Sequence, residues 1–174
     1  MNRTTRVLAA LAASTALAAC STAEAVDDDA TTPPTTEGTR TVTGVDYGFE
    51  GADDPVAAGT TLAFRNDSDA EFHEMVVMRL ADDEERTVDE LLALPEDEAM
   101  QAMTFVGVAG AAPGEAGELV DGTLTLDDAG RYVLTCFIPV GADPDVVAEA
   151  FAGGGDGPPD LGDGPPHLAE GMVA

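Results

Sequence analysis

The chain has 174 residues, 44% of them hydrophobic, and its 34 acidic side chains against 7 basic ones give a formal net charge of −27. This charge excludes a nucleic-acid binder that neutralises phosphates and a basic protein of membrane surfaces, because both need clustered cations. The apolar content is too high for a wholly disordered chain, and the length suits one domain with a core.

The N-terminus carries the pattern of a targeting segment over residues 1–19. Arg3 and Arg6 precede a short, alanine-rich apolar run of signal-peptide length, too short to span a bilayer as a stable helix. The sequence Leu17-Ala18-Ala19-Cys20 then resembles the lipobox of bacterial lipoproteins, in which the cysteine becomes the lipid-carrying N-terminus. An ordinary secretory signal with a chance cysteine is the alternative. The resemblance implies lipidation of Cys20 and an extracytoplasmic protein anchored to the bacterial cell membrane by its lipid.

Residues 20–40 follow as a separate segment, starting with Cys20. They are rich in Thr, Pro and Asp and contain almost nothing apolar. Such a composition predicts a disordered tether, which leaves 41–174 as the folded domain. Cys136 is the one cysteine of that domain, so the domain cannot form an internal disulfide.

The domain is predicted to be all-β. Runs rich in β-branched and aromatic residues, bounded by turn residues, occur at 41–49, 60–66, 72–80, 123–126 and 131–138. The last two runs flank an Asp-Asp-Ala-Gly turn and predict a hairpin-like pair. Strands spaced by turn signals favour a β-sandwich.

Two short helical insertions interrupt the β pattern. Thr87 followed by Glu90 forms a capping-box sequence and predicts a helix start, with a second helical turn after Pro95. A second insertion is predicted from Pro144 to Phe151. The Gly/Ala-rich stretch 106–122 and the Gly/Pro/Asp-rich stretch 153–166 indicate loops.

Four side chains of the domain are the ligand types of a blue-copper site: His73, Cys136, His167 and Met172. A thiolate and a thioether are soft donors that suit copper, two imidazoles complete the trigonal set, and a distant methionine tunes the potential. Each of these residues could instead have a purely structural role. His73 can be a strand residue, Cys136 an inert buried thiol and Met172 an ordinary hydrophobe. A core role is harder to give to His167, which follows two prolines.

The order of these residues resembles the cupredoxin family, which includes plastocyanin and azurin. The resemblance covers roughly residues 41–80 and 122–172. Its elements are a Gly-x-Tyr-x-x-x-Cys strand at Gly130, Tyr132 and Cys136, the spacing from His167 to Met172, the early His73 after Asn66, and opening strands around Asp46–Phe49 and Ala58-Gly59.

This resemblance implies a cupredoxin-like Greek-key β-sandwich with one type 1 copper held by His73, Cys136, His167 and Met172. The implied function is single-electron transfer rather than enzymatic catalysis. Because the chain is strongly acidic, we expect its redox partner to present a basic surface. The alternative is a binding or structural lipoprotein on the same fold, either copper-free or holding copper without passing electrons.

Three departures from the family pattern matter. Thirty residues separate Cys136 from His167, where a few are usual, and this length is expected to weaken the rigidity of the site. Glu74 follows His73, where plastocyanin-like proteins carry an asparagine that ties the ligand loops together. The sequence stops two residues after Met172, so the final strand is expected to be missing or truncated and the sheet to lack an edge.

Overall fold

The computed structural model describes residues 38–153 and 160–174. Its strands are β1 Thr39–Val45, β2 Gly48–Glu50, β3 Thr60–Asn66, β4 His73–Leu80, β5 Met103–Ala111, β6 Glu118–Gly122, β7 Thr125–Leu126 and β8 Tyr132–Thr135. Its helices are α1 Val88–Leu92, α2 Glu96–Gln101, α3 Pro144–Phe151 and a 3-10 helix His167–Glu170. The predicted signal segment, Cys20 and most of the tether lie outside these residues. Among the described residues, no helix has the length and apolar character needed to cross a membrane.

The strands form two four-stranded sheets, in the orders β2-β1-β3-β7 and β6-β5-β4-β8. In the first sheet β1 runs parallel to β3, while all other pairs of named strands are antiparallel. The predicted all-β, cupredoxin-like β-sandwich with short helical insertions is confirmed. The first strand begins at Thr39, two residues before its predicted start, and it ends at a turn in which Tyr47 takes a positive φ of 58°.

The core lies between the two sheets, because the inward faces of both contribute to one buried cluster. Alternation in β3 turns Leu62 and Phe64 into this cluster, and β4 contributes Met75 and Val77 from the opposite sheet. Strand β4 is buried on both faces, since its other side packs in a second cluster with Leu91 of α1 and with Ala102. A strand covered on both sides provides a rigid support for the residues at its ends, which include His73 at the start of β4.

The prediction of a loop at 106–122 is wrong, because much of this stretch belongs to β5 and β6. Two glycines of this stretch, Gly107 and Gly110, mark close packing instead of chain reversal. A Cβ added at Gly107 would lie 2.1 Å from the carbonyl oxygen of Thr123, and one at Gly110 would lie 2.6 Å from the ring of Phe151. Gly in a strand therefore signals the close approach of a neighbour here.

The predicted hairpin between 123–126 and 131–138 is also wrong, because its two strands belong to different sheets. Leu126 in β7 pairs with Thr60, whereas Val133 in β8 pairs with Met78. The turn between them carries the chain from one sheet to the other. The same turn residues occur in a hairpin within one sheet and in a connection between two sheets, so the sequence could not distinguish the two cases.

The helices follow their sequence signals. Thr87 caps α1 through a complete capping box: its hydroxyl accepts from the Glu90 backbone, and the Glu90 carboxylate accepts from the Thr87 backbone. Helix α3 spans the predicted residues, with Asp143 as its N-cap and Pro144 in its first turn.

The end of the chain lies against β8. Val173 forms a bridge with Thr135, and Ala174 exchanges two backbone hydrogen bonds with Leu134, of 2.8 and 3.1 Å. Val173 and Ala174 therefore extend the second sheet beyond β8, although the sequence predicts that the final strand is missing or truncated.

Candidate metal centre

Three of the predicted ligand residues converge at one end of the sandwich. The Nδ1 atoms of His73 and His167 lie 3.0 Å apart, and the Sγ of Cys136 lies 3.4 Å from Nδ1 of His167. The three donor atoms all fall within 4.8 Å of one another, and all three residues are fully buried. Side chains separated by up to 94 residues in sequence thus face a common point.

The first histidine is held by a network that starts at Asn66. The Nδ2 of Asn66 donates to the backbone oxygens of Glu71 and Ala111, at 2.8 and 3.0 Å, and its Oδ1 accepts from the Ser68 backbone. Asn66 is itself fully buried. These bonds fasten the turn between β3 and β4 to β5, so the first residue of β4, His73, enters the core in a fixed position.

The thirty-residue connection between Cys136 and His167 is closed by a short backbone stem. Val140 donates to the Pro165 oxygen at 2.8 Å, His167 to the Ile138 oxygen at 2.9 Å, and Leu168 to the Cys136 oxygen at 2.9 Å. Helix α3 lies in the connection between the two sides of this stem, after Val140 and before Pro165. The hydrogen bonds of the stem join the two ligand-bearing segments directly, and the loss of rigidity expected from the long connection stays a prediction.

Met172 lies on the same turn as His167. The 3-10 helix ends at Gly171, whose φ is 111°, and the Met172 backbone donates to the His167 oxygen at 3.0 Å. The Met172 side chain is fully buried and its methyl group lies beside Gly44 of β1. Its role as an axial ligand stays a prediction.

Glu74 performs the tying role that the sequence comparison left vacant. Its Oε1 accepts from the Phe137 backbone at 2.9 Å, while its own backbone N–H points at Cys136 Sγ at 3.5 Å. Both contacts join β4 to the segment that carries the cysteine. Burial raises the pKa of this carboxyl, and the Phe137 hydrogen bond opposes that rise.

A second carboxylate, Glu71, was not predicted. Its Oε2 lies 3.2 Å from Nε2 of His167 and accepts from the Gly141 backbone at 3.3 Å. One among 34 acids carries no local signal of such a role. The only sequence signal for Glu71 is its position shortly before the apolar strand β4.

The three donor side chains, His73, Cys136 and His167, are uncharged at neutral pH without a bound ion. Burial raises the pKa of the Cys136 thiol to about 12. Burial, together with the neighbouring His167, lowers the pKa of His73 to about 4. Burial also lowers the pKa of His167, against the opposing charge of Glu71. At neutral pH the thiol therefore keeps its proton, and a metal must displace that proton to bind.

The donors fit copper. Two imidazole nitrogens and one thiol sulfur are the equatorial ligands of a type 1 site, and a soft sulfur with borderline nitrogens suits both copper oxidation states. Nδ1 is the nitrogen that faces the cluster on both histidines. The arrangement excludes hard cations such as Ca²⁺ and Mg²⁺ from this point, since these prefer several oxygen ligands.

Comparisons with known proteins add the following. No protein-family model matches the sequence, and no curated protein matches it. A matching solved structure is the crystal structure of Na-dithionite reduced auracyanin from the photosynthetic bacterium Roseiflexus castenholzii. It is 19% identical, with a TM-score of 0.38, and the match covers 58% of this chain and 84% of that chain. From its two sheets and buried ligand cluster, the chain is a cupredoxin-like β-sandwich whose His73, Cys136 and His167 suit one type 1 copper.

Proposed function

We propose that this protein is a single-electron carrier in which His73, Cys136 and His167 would hold one copper ion, with Met172 as a fourth ligand. The observation that carries the proposal is the convergence of two Nδ1 atoms and one Sγ within 4.8 Å in a fully buried pocket. Bound copper would supply a Cu(II)/Cu(I) couple that accepts one electron from a reduced donor and passes it to an oxidised acceptor.

The chain's own residues favour electron transfer over substrate chemistry. The three donor residues are fully buried, so water and small substrates have no open approach to them. Asn66, Glu74 and the backbone stem hold the donors from three sides. A pocket that stays the same in both oxidation states lowers the reorganisation that accompanies each electron.

The test is a titration of the purified domain with Cu(II), followed by metal analysis and visible absorption. One equivalent should bind and produce an intense thiolate-to-copper charge-transfer band that a reductant bleaches and an oxidant restores. A chain that binds copper but cannot be reversibly reduced favours the copper-holding alternative. A chain that binds none contradicts the proposal.

We further propose that Cys20 carries a lipid that anchors the protein outside the cytoplasm, with residues 21–40 as a tether. The lipobox-like Leu17-Ala18-Ala19-Cys20 after a charged and apolar leader supports this. Cys20→Ala should shift the protein from the membrane fraction to the soluble fraction or leave it as unprocessed precursor. Ser21→Ala, one residue later, should stay in the membrane fraction. A Cys20→Ala chain that is processed to mature size and still stays in the membrane fraction would point to another attachment.

The redox partner is proposed to have a basic docking face. Removal of residues 1–19 takes away two arginines and no acid, so the mature chain carries an excess of 29 negative charges. Opposite charges steer association, and salt screens that steering over about 10 Å at 0.1 M. The rate of electron transfer with a basic one-electron carrier should therefore fall as ionic strength rises in stopped-flow measurements. A rate of electron transfer that does not depend on ionic strength would show that the acidic surface has no part in docking.

A further inference from the structure

The imidazole of His167 has a carboxylate on the side opposite the ligand cluster. Its Nδ1 faces Cys136 and His73, at 3.4 and 3.0 Å, while its Nε2 lies 3.2 Å from Oε2 of Glu71. Because Nδ1 and Nε2 are on different sides of the ring, both contacts exist at the same time. The side chain of His167 is fully buried, and that of Glu71 is 20% exposed.

The carboxylate is held in place by several parts of the chain. Asn66 donates to the backbone oxygen of Glu71, and the Gly141 backbone donates to its Oε2. The Tyr47 hydroxyl donates to its Oε1 at 3.5 Å, and the Tyr47 ring meets the His167 ring edge-on with centroids 5.2 Å apart. Glu71 and Tyr47 together cover the outer side of this imidazole.

We infer that Glu71 is a positioning residue that fixes the proton of His167 on Nε2 and lowers the reduction potential of copper bound at Nδ1. The inference rests on the proposed function. A carboxylate that accepts from the far nitrogen of a ligand imidazole orients the ring and makes it a stronger donor. Its negative charge stabilises Cu(II) more than Cu(I), because Cu(II) carries one more positive charge.

The hydrogen bonds around the two histidines agree with this proton position. When His167 donates from Nε2 to Glu71, its Nδ1 holds a lone pair and accepts from Nδ1–H of His73. That tautomer leaves Nε2 of His73 without a proton, and this atom has no hydrogen-bond partner among the described residues. His167 is therefore already in the form that would bind a metal.

The experiment compares copper-loaded wild-type protein with Glu71→Gln, which keeps an oxygen acceptor and removes the charge. The control is Glu85→Gln, which removes the same charge on the loop beyond the opposite end of β4. Losing such a partner changes metal affinity by 10–100-fold, and a tenfold loss for Cu(II) alone corresponds to about 59 mV. Voltammetry should show a potential about 59 mV or more higher in Glu71→Gln and unchanged in Glu85→Gln.

Nitrogen NMR of the metal-free protein provides a second measurement. Wild-type His167 should show the Nε2–H tautomer, and Glu71→Ala should lose that preference. Equal potentials in all three copper-loaded proteins, each with its charge-transfer band, would overturn the inference while the proposed function stands. A wild-type protein that binds no copper would overturn the proposed function and the effect on potential together, and NMR would then decide the tautomer alone.

Discussion

Replacing Cys136 by Ser is expected to abolish the visible charge-transfer band and to weaken Cu(II) binding by more than about 100-fold, since the loss of a residue that only supports a ligand already costs 10–100-fold. The thiol of Cys136 has its pKa raised to about 12 by burial, so only the charge of a metal can remove its proton in this pocket. A serine hydroxyl gives up its proton far less readily and is a hard donor, so neither the thiolate bond nor its absorption can form.

The fold should survive this substitution. Ser differs from Cys by one atom, and the backbone N–H of Glu74, which points at Sγ, can donate to the new hydroxyl. The free energy of unfolding should fall by about 1–3 kcal/mol, the cost of burying a hydroxyl with incomplete hydrogen bonding. Thr135→Ser is the matched control, because this neighbouring residue is buried but outside the ligand set. An unchanged spectrum in Cys136→Ser would show that the ligand assignment is wrong.

The convergence of the metal centre could be predicted because its donor types are rare in this sequence. The chain has two histidines and two cysteines, and one cysteine belongs to the lipobox-like segment. His73, Cys136 and His167 are therefore the whole supply of imidazole and thiol donors outside that segment, and the structure brings all three together. The position of a rare residue type is therefore informative about the site, whereas the position of one residue of a common type is not.

The supporting residues could not be found in the same way. Glu71 and Glu74 are two of 34 acids, and their contacts join segments more than 60 residues apart. What separates them from the solvated acids is burial beside the ligands, which depends on how β4 packs. The available signal for Glu74 is a carboxylate between His73 and the apolar run that starts at Met75.

Glycine in β5 has a physical role that its sequence pattern does not reveal. A small residue between apolar ones is expected in a flexible loop, yet Gly107 and Gly110 lie in β5, where a backbone and an aromatic ring approach too closely for any side chain. Chain reversal and close packing both select glycine, and only the tertiary structure separates the two causes.

Gly164 is a third glycine with a close neighbour, and it tests the stem that closes the Cys136–His167 connection. A Cβ at Gly164 would lie 2.2 Å from the carbonyl oxygen of Val140, far inside ordinary contact at 3.4 Å or more. The obstructing atom is backbone and cannot rotate away. Gly164→Ala must therefore displace one side of the stem by about 1 Å, in a structure too closely packed to absorb the shift elsewhere.

This displacement should reach the metal centre, because His167 follows three residues later and its backbone belongs to the same stem. A ligand shifted by about 1 Å is enough to spoil a preorganised site. We expect copper affinity to fall by about tenfold or more, in the range known for lost ligand support. The free energy of unfolding should fall by about 1–3 kcal/mol, as for overpacking elsewhere.

Gly162→Ala separates the effect on the site from a general loss of stability. Gly162 has a φ of 89° and no atom within 4 Å of an added Cβ, so its substitution strains the backbone without obstructing the stem. It should lower the free energy of unfolding by about 1–2 kcal/mol and leave copper affinity unchanged. Copper titration and chemical denaturation of both variants check this contrast. If Gly164→Ala binds copper as tightly as Gly162→Ala, the stem does not position His167, and the long connection is restrained by other contacts.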